Sequence, residues 1–167
     1  MDIISRIQKN RPINYDYFLG IHSVSGWTRL HDKAYDGTLM ANDIENLTAS
    51  QIDITDGFGQ SALFWAVEAG HYDIVKLLLS KGANPKQTDN LGRTLFHILT
   101  SVKLVDLLLS YDVAYEQSDI HGKTAIDELS TDEAFIMNSE TSDIIVQRET
   151  ILGKLIKHQR KNQNQKK

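Results

Sequence analysis

Asp56-Gly57-Phe58-Gly59-Gln60-Ser61-Ala62-Leu63-Phe64-Trp65-Ala66 runs on to Gly70-His71-Tyr72-Asp73-Ile74-Val75-Lys76-Leu77-Leu78-Leu79, then Gly82-Ala83-Asn84-Pro85. This stretch decides the fold. Leu63, Ala66 and Val67 fall at i, i+3 and i+4, one face of a helix that starts after Ser61 as N-cap. Gly70-His71 breaks that helix. Ile74, Val75, Leu77, Leu78 and Leu79 predict a second one, stopped by Gly82 with Pro85 beyond it. The polar turn formers that follow suit a protruding, hairpin-like loop. Helix, turn, helix and loop make one unit, and neither helix can bury its apolar face without neighbours.

The unit recurs. Gly26, Gly59 and Gly92 stand about 33 residues apart and Gly122 follows after about 30, the interval of a helical repeat array. Two residues after each glycine comes a hydroxyl (Thr28, Ser61, Thr94, Thr124), and two further on an apolar anchor (Leu30, Leu63, Phe96, Ile126). Stacked units present a long surface and seldom enclose a catalytic pocket, so the pattern points to binding.

These residues closely resemble the ankyrin repeat, whose pattern runs D-x-x-G-x-T-P-L-H-x-A, then G-H-x-x-I-V-x-L-L-L, then G-A-D. The second unit matches nearly all of it, with Ala62 and Phe64 in place of the usual Pro and His. The third opens Asp89-Asn90-Leu91-Gly92-Arg93-Thr94-Leu95-Phe96-His97 but is about three residues shorter before Leu104-Val105. The loss is expected in the inter-helix turn, where Thr100-Ser101-Val102-Lys103 replaces Gly-His. The first unit opens well with Gly26-Trp27-Thr28-Arg29-Leu30-His31, yet has Ala41-Asn42 where I-V belongs. The fourth opens Asp119-Ile120-His121-Gly122-Lys123-Thr124 and then loses the pattern.

The expected fold is all-α: an ankyrin-repeat α-solenoid of helix-turn-helix units with hairpin-like loops and a C-terminal capping helix. The expected division is an N-terminal helix and lead over 1–22, with a short helix at 2–8, and repeats over 23–129. The repeats lie near 23–55, 56–88, 89–118 and 119–129; a capping segment spans 130–158 and a basic polar tail 159–167. Ile144, Ile145, Ile151, Leu152, Leu155 and Ile156 form a helical stripe suited to covering the last repeat, or else to a partner.

Composition excludes several classes. The chain has no cysteine, so it has neither a disulfide framework nor thiolate metal ligands, and it suits a reducing compartment. The longest apolar run, from Ile74 to Leu79, is interrupted by Lys76 and is too short to insert in a membrane. The alternating N-terminus lacks the apolar core of a secretory signal. All the acidic residues lie at or before Glu149, and six of the 18 cations follow it. The 12 that remain leave residues 1–153 at about −10, which repels nucleic acid.

Residues that invite a chemical reading are better explained by structure. The resemblance implies that His31 and His97 tie a hairpin loop to a helix and that His71 fills the inter-helix turn. His22 and His121 fall on loops as contact candidates. No two histidines share the spacing of a zinc site. His121-Gly122-Lys123-Thr124 looks like the end of a phosphate loop, but Gln117 stands where its first glycine is required. Gly59-Gln60-Ser61 lacks the last glycine of a nucleophile elbow, and Asp132-Glu133 suits a helix start. Trp65 reads as core.

No cofactor, metal or catalytic site is expected. The resemblance implies a protein-binding module, monomeric when unbound, whose partner meets the hairpin tips and the exposed side of the inner helices. Matching positions are Val24, Ser25, Trp27, Tyr35 and Asp36; Gly57, Phe58, Gln60, Glu68 and Ala69; Asn90, Leu91 and Arg93; and Ile120, His121 and Lys123. Trp27, as an exposed indole, Tyr35, Phe58 and Arg93 are the strongest, because such side chains dominate interface hot spots. Other readings are a bacterial effector secreted into a host cell and an inhibitory or regulatory enzyme subunit. The expected location is the cytoplasm.

Overall fold

The computed structural model describes residues 26–130 and 142–165, with side chains from 146 onward in the second stretch. The readings on residues 2–8, His22, Val24, Ser25, Asp132, Glu133, Ile144 and Ile145 lie outside these. The elements are α1 (Arg29–Asp36), α2 (Ala41–Ile44), α3 (Ala49–Ile52), α4 (Ala62–Glu68), α5 (Tyr72–Ser80), α6 (Lys103–Ser110), α7 (Ala125–Ser130) and α8 (Ser142–Gln165). Among the described residues, strand pairing is limited to one bridge, Thr55 to Ser61, at the base of a hairpin. The all-α solenoid is what the repeat pattern predicts.

The second unit folds as its sequence dictates. Helix α4 buries Leu63, Ala66 and Val67 and also Phe64 and Trp65, because it is enclosed between α1 and α5. Helix α5 buries Ile74, Val75, Leu78 and Leu79 and turns Tyr72, Asp73 and Lys76 outward. It also packs on α6, whose Leu104, Val105 and Leu108 repeat the same face one unit on. One continuous core thus threads the stack.

The outer units depart from the ideal in instructive ways. In the first, the missing I-V pair breaks the second helix into two single turns, α2 and α3, each anchored by one buried isoleucine, Ile44 and Ile52. In the third, the missing residues come from the inner helix rather than the turn. Residues 95–98 make only turns, with the His97 N–H donating to the Thr94 carbonyl (3.0 Å). The hairpin must stay in register with its neighbours and α6 must stay on α5, so the inner helix absorbs the deletion. Leu95, Phe96 and Leu99 remain buried there.

Ser61 occupies the N-cap position of α4, but its hydroxyl makes no capping bond and, although buried, has no hydrogen-bond partner. Thr28 and Thr94 place their hydroxyls 2.8 and 3.0 Å from the histidine Nδ1 three residues on. At that position the second unit has Phe64, so the partner is missing.

Helix α8 lies on α6 and α7. Ile151 and Leu155 are fully buried, and Leu152 and Ile156 half-buried. The helix also runs on to Gln165, through residues expected to be a polar tail. Lys157 to Gln163 contain good helix formers and no breaker, so only the apolar stripe ends near His158. His158 lies 3.2 Å from the Tyr115 hydroxyl, and the Gln159 amide donates to Glu116 (3.1 Å).

Candidate partner-binding surface

Three hairpins are built on one plan. The Asp56 Oδ1 accepts the N–H groups of Phe58 (2.9 Å) and Gln60 (3.0 Å). Asp89 does the same for Leu91 and Arg93 (both 2.9 Å), and Asp119 for His121 (2.8 Å) and Lys123 (2.9 Å). Each loop closes by a main-chain bond from Asp to the residue after Gly, at 3.0, 3.1 and 2.8 Å. The Asp119 bonds, first that from Lys123, hold its carboxyl below the usual range. Asp and Gly are therefore fixed by loop closure, and the two positions between them are not.

Neighbouring tips are joined. The Asn90 N–H donates to the Phe58 carbonyl and the Ile120 N–H to the Leu91 carbonyl, both at 2.9 Å. The Asn90 amide adds a bond to the Gly57 carbonyl (3.0 Å). Gly59, at φ +77°, lies so close to the next tip that an added Cβ would stand 2.5 Å from Asn90 Oδ1 and 2.8 Å from its main-chain N. Gly122 has φ +75° but nothing within 4 Å. Gly122→Ala should therefore cost about 1–2 kcal/mol for the left-handed backbone alone, and Gly59→Ala clearly more in the same urea titration. Equal costs would mean that the tips do not press on one another.

Histidines join helix to hairpin as expected. The Thr28 N–H donates to His31 Nδ1 (3.1 Å), so Nε2 carries the proton and donates to the Gln60 carbonyl (3.1 Å). His97 repeats this with the Thr94 N–H (3.1 Å) and the Lys123 carbonyl (3.0 Å). His71 reaches the Tyr35 carbonyl (2.9 Å). In the second unit Phe64 cannot make such a link, and the Gln60 side chain bonds Asp89 Oδ2 instead (3.3 Å).

Burial holds the His31 imidazole below its ordinary range, against the opposing pull of Asp56 and the Gln60 carbonyl. With the folded value depressed, the unfolded chain binds the proton first as pH falls. The contribution of His31 is intact above about pH 6.5, the unfolded value, and is lost progressively as pH falls below it toward the lower folded value. Urea unfolding at about pH 7.5 and about pH 5.5 should show wild type weaker at the lower pH, and His31→Gln with a smaller difference. An unchanged difference would assign the slope elsewhere.

The expected contact residues divide by burial. Asp36, Asn90, His121 and Lys123 are exposed, and Tyr35, Phe58, Glu68, Leu91 and Arg93 are half-buried. Arg93 pairs with Asp89 (2.7 Å). Trp27, expected as an exposed anchor, is half-buried: its indole donates to Asp32 (2.8 Å) and its ring meets the edge of Trp65 with centroids 4.9 Å apart. Tyr35 also packs on Trp65, edge to face, with centroids 5.5 Å apart. Trp65 itself is buried, and its N–H donates to Asp56 (3.0 Å). Gln60 requires correction. It is 2% exposed and serves the link between hairpins, not the outer surface.

Sequence reasoning missed a feature of the first unit. A cleft of about 370 Å³ opens between α1 and the broken second helix, lined by Leu30, Leu39, Leu47 and Ile54 beside the Lys33–Asp43 ion pair. The loss of the I-V pair was the available signal.

A family model described as ankyrin repeats, in three copies, matches residues 14–89 and 30–121. The chain is 31% identical over 130 residues to a putative ankyrin repeat protein of Acanthamoeba polyphaga mimivirus, covering 73% of this chain and 47% of that one. It is 34% identical over 92 residues to an ankyrin repeat protein of Monkeypox virus, covering 50% and 16%. The chain thus spans about half of the first relative and a small part of the second. Among the described residues no helix is long and apolar enough to cross a membrane.

Proposed function

Because the chain belongs to the ankyrin repeat family, we propose that it is a non-catalytic cytoplasmic module that binds a partner protein through its hairpin tips and inner helices. The contact set is Trp27, Tyr35, Asp36, Phe58, Glu68, Asn90, Leu91, Arg93, His121 and Lys123. Gln60 is left out because it is buried. One observation carries the reading: all three loops close through Asp and main chain, so closure itself does not dictate which side chains stand at the tips. The acidic balance of residues 1–153 supports a protein partner over nucleic acid.

The viral origin of both relatives favours a second reading, in which the partner is a host protein. Affinity purification with mass spectrometry tests the main proposal. A partner retained by wild type should be lost by an Asp36→Lys, Phe58→Ala double variant that melts at a similar temperature. A partner held equally by both proteins would move the binding surface elsewhere.

A further inference from the structure

We propose that the hairpin of the fourth unit, closed by Asp119 and Lys123, is a docking edge for an extended segment of a partner polypeptide. The segment continues the ladder between hairpins by donating a backbone N–H to the His121 carbonyl, and it covers Ile120 with an apolar side chain. This rests on the reading of the chain as a protein-binding module, and adds where a partner joins it and through which chemistry.

The ladder has a direction. The second tip residue of one hairpin accepts from the first tip residue of the next: Phe58 from Asn90, then Leu91 from Ile120. Position by position, His121 is the next acceptor. Among the described residues no N–H donates to its carbonyl, and His121 is exposed. Two further observations mark the same edge. An added Cβ at Gly59 or Gly92 meets the following tip, while at Gly122 it meets nothing within 4 Å. Asn90, in the stack, turns a polar side chain back to Gly57, whereas the equivalent Ile120 is an aliphatic side chain 64% exposed.

The geometry selects the occupant. A further helical repeat does not fit, because α7 already packs under α8, with Ile151 and Leu155 fully buried. Among the described residues the hairpin side of the last unit is uncovered, and a single extended backbone is enough to fill it. A symmetric pair of these edges fails as well, since both present carbonyls and neither brings the donor.

The test uses the full chain as bait for a displayed library of random linear peptides. Selected peptides should share an apolar position, and methylating one backbone nitrogen beside it should weaken binding about tenfold. Ile120→Asp should weaken binding at least as much without changing the melting temperature, because the side chain is exposed. The Asp36→Lys, Phe58→Ala variant should bind the same peptides normally. Peptides indifferent to Ile120→Asp and to methylation at every nitrogen would overturn the proposal, as would failure to select any peptide. Peptides lost only in the Asp36→Lys, Phe58→Ala variant would overturn it while leaving the broader binding surface standing. Peptides that bind at the edge when no partner needs Asp36 or Phe58 would do the reverse.

Discussion

Truncation after Ser142 gives a protein that aggregates or melts without cooperativity, whereas truncation after Arg160 leaves the melting temperature nearly unchanged. The difference follows from what α8 covers. Ile151 and Leu155 are fully buried in the core that runs through the stack, and each is worth about 1.5–3 kcal/mol on burial. Their combined loss, about 3–6 kcal/mol, is a large share of the net stability of a domain, which is about 5–15 kcal/mol. It would also open Leu108 and Ala125, on the helices beneath, toward water. Residues beyond Arg160 are mostly exposed, and of them Asn162 is half-buried beside His158. Differential scanning calorimetry of the two truncations decides the matter. A soluble, cooperative protein ending at Ser142 would show that the helix is dispensable to the fold and is held for a partner. An intermediate check is Leu155→Ala, which should cost about 2–5 kcal/mol.

Leu78→Ala costs about 2–5 kcal/mol and unfolds the middle of the array first. Leu78 is fully buried on α5, the helix that packs against both α4 and α6, so its cavity opens where two units meet. Repeat arrays depend on such contacts between neighbours, and a weak middle unit uncouples the ends. Gln60→Ala, which its loop position would make neutral, should cost about 1–2 kcal/mol. It removes the side-chain bond to Asp89 and leaves a void between hairpins. Urea titrations of both variants, with amide exchange to locate the loosened unit, measure the ranking. Equal costs would mean that the faces of α5 have been misassigned.

The loops were legible because their chemistry is short-ranged. Asp56, Asp89 and Asp119 each bind N–H groups two and four residues ahead, so the Asp-x-x-Gly spacing announces the hairpin directly. The roles of His31 and His97 came with the family resemblance, and in the structure each ring also accepts from the threonine N–H three residues back. The candidate surface was readable as positions along the repeat. How far each side chain emerges from that surface was not.

By itself the sequence determined the period, the order of helix and hairpin, and the apolar faces of α4, α5 and α6, because these rest on contacts inside one unit. Tertiary structure alone decided which outward positions are in fact occupied. Gln60 meets Asp89 from 29 residues away, and Asn90 meets Gly57 from 33. Trp27 is half-covered by Trp65 of the next unit. The third inner helix gave way because hairpin register and helix stacking on either side could not. The contacts of α8 beyond its apolar stripe were set by Tyr115 and Glu116, each 43 residues from its partner on that helix. A repeat pattern describes the unit, but burial in a stack depends on what the neighbouring unit places against it, and that distance exceeds any local periodicity.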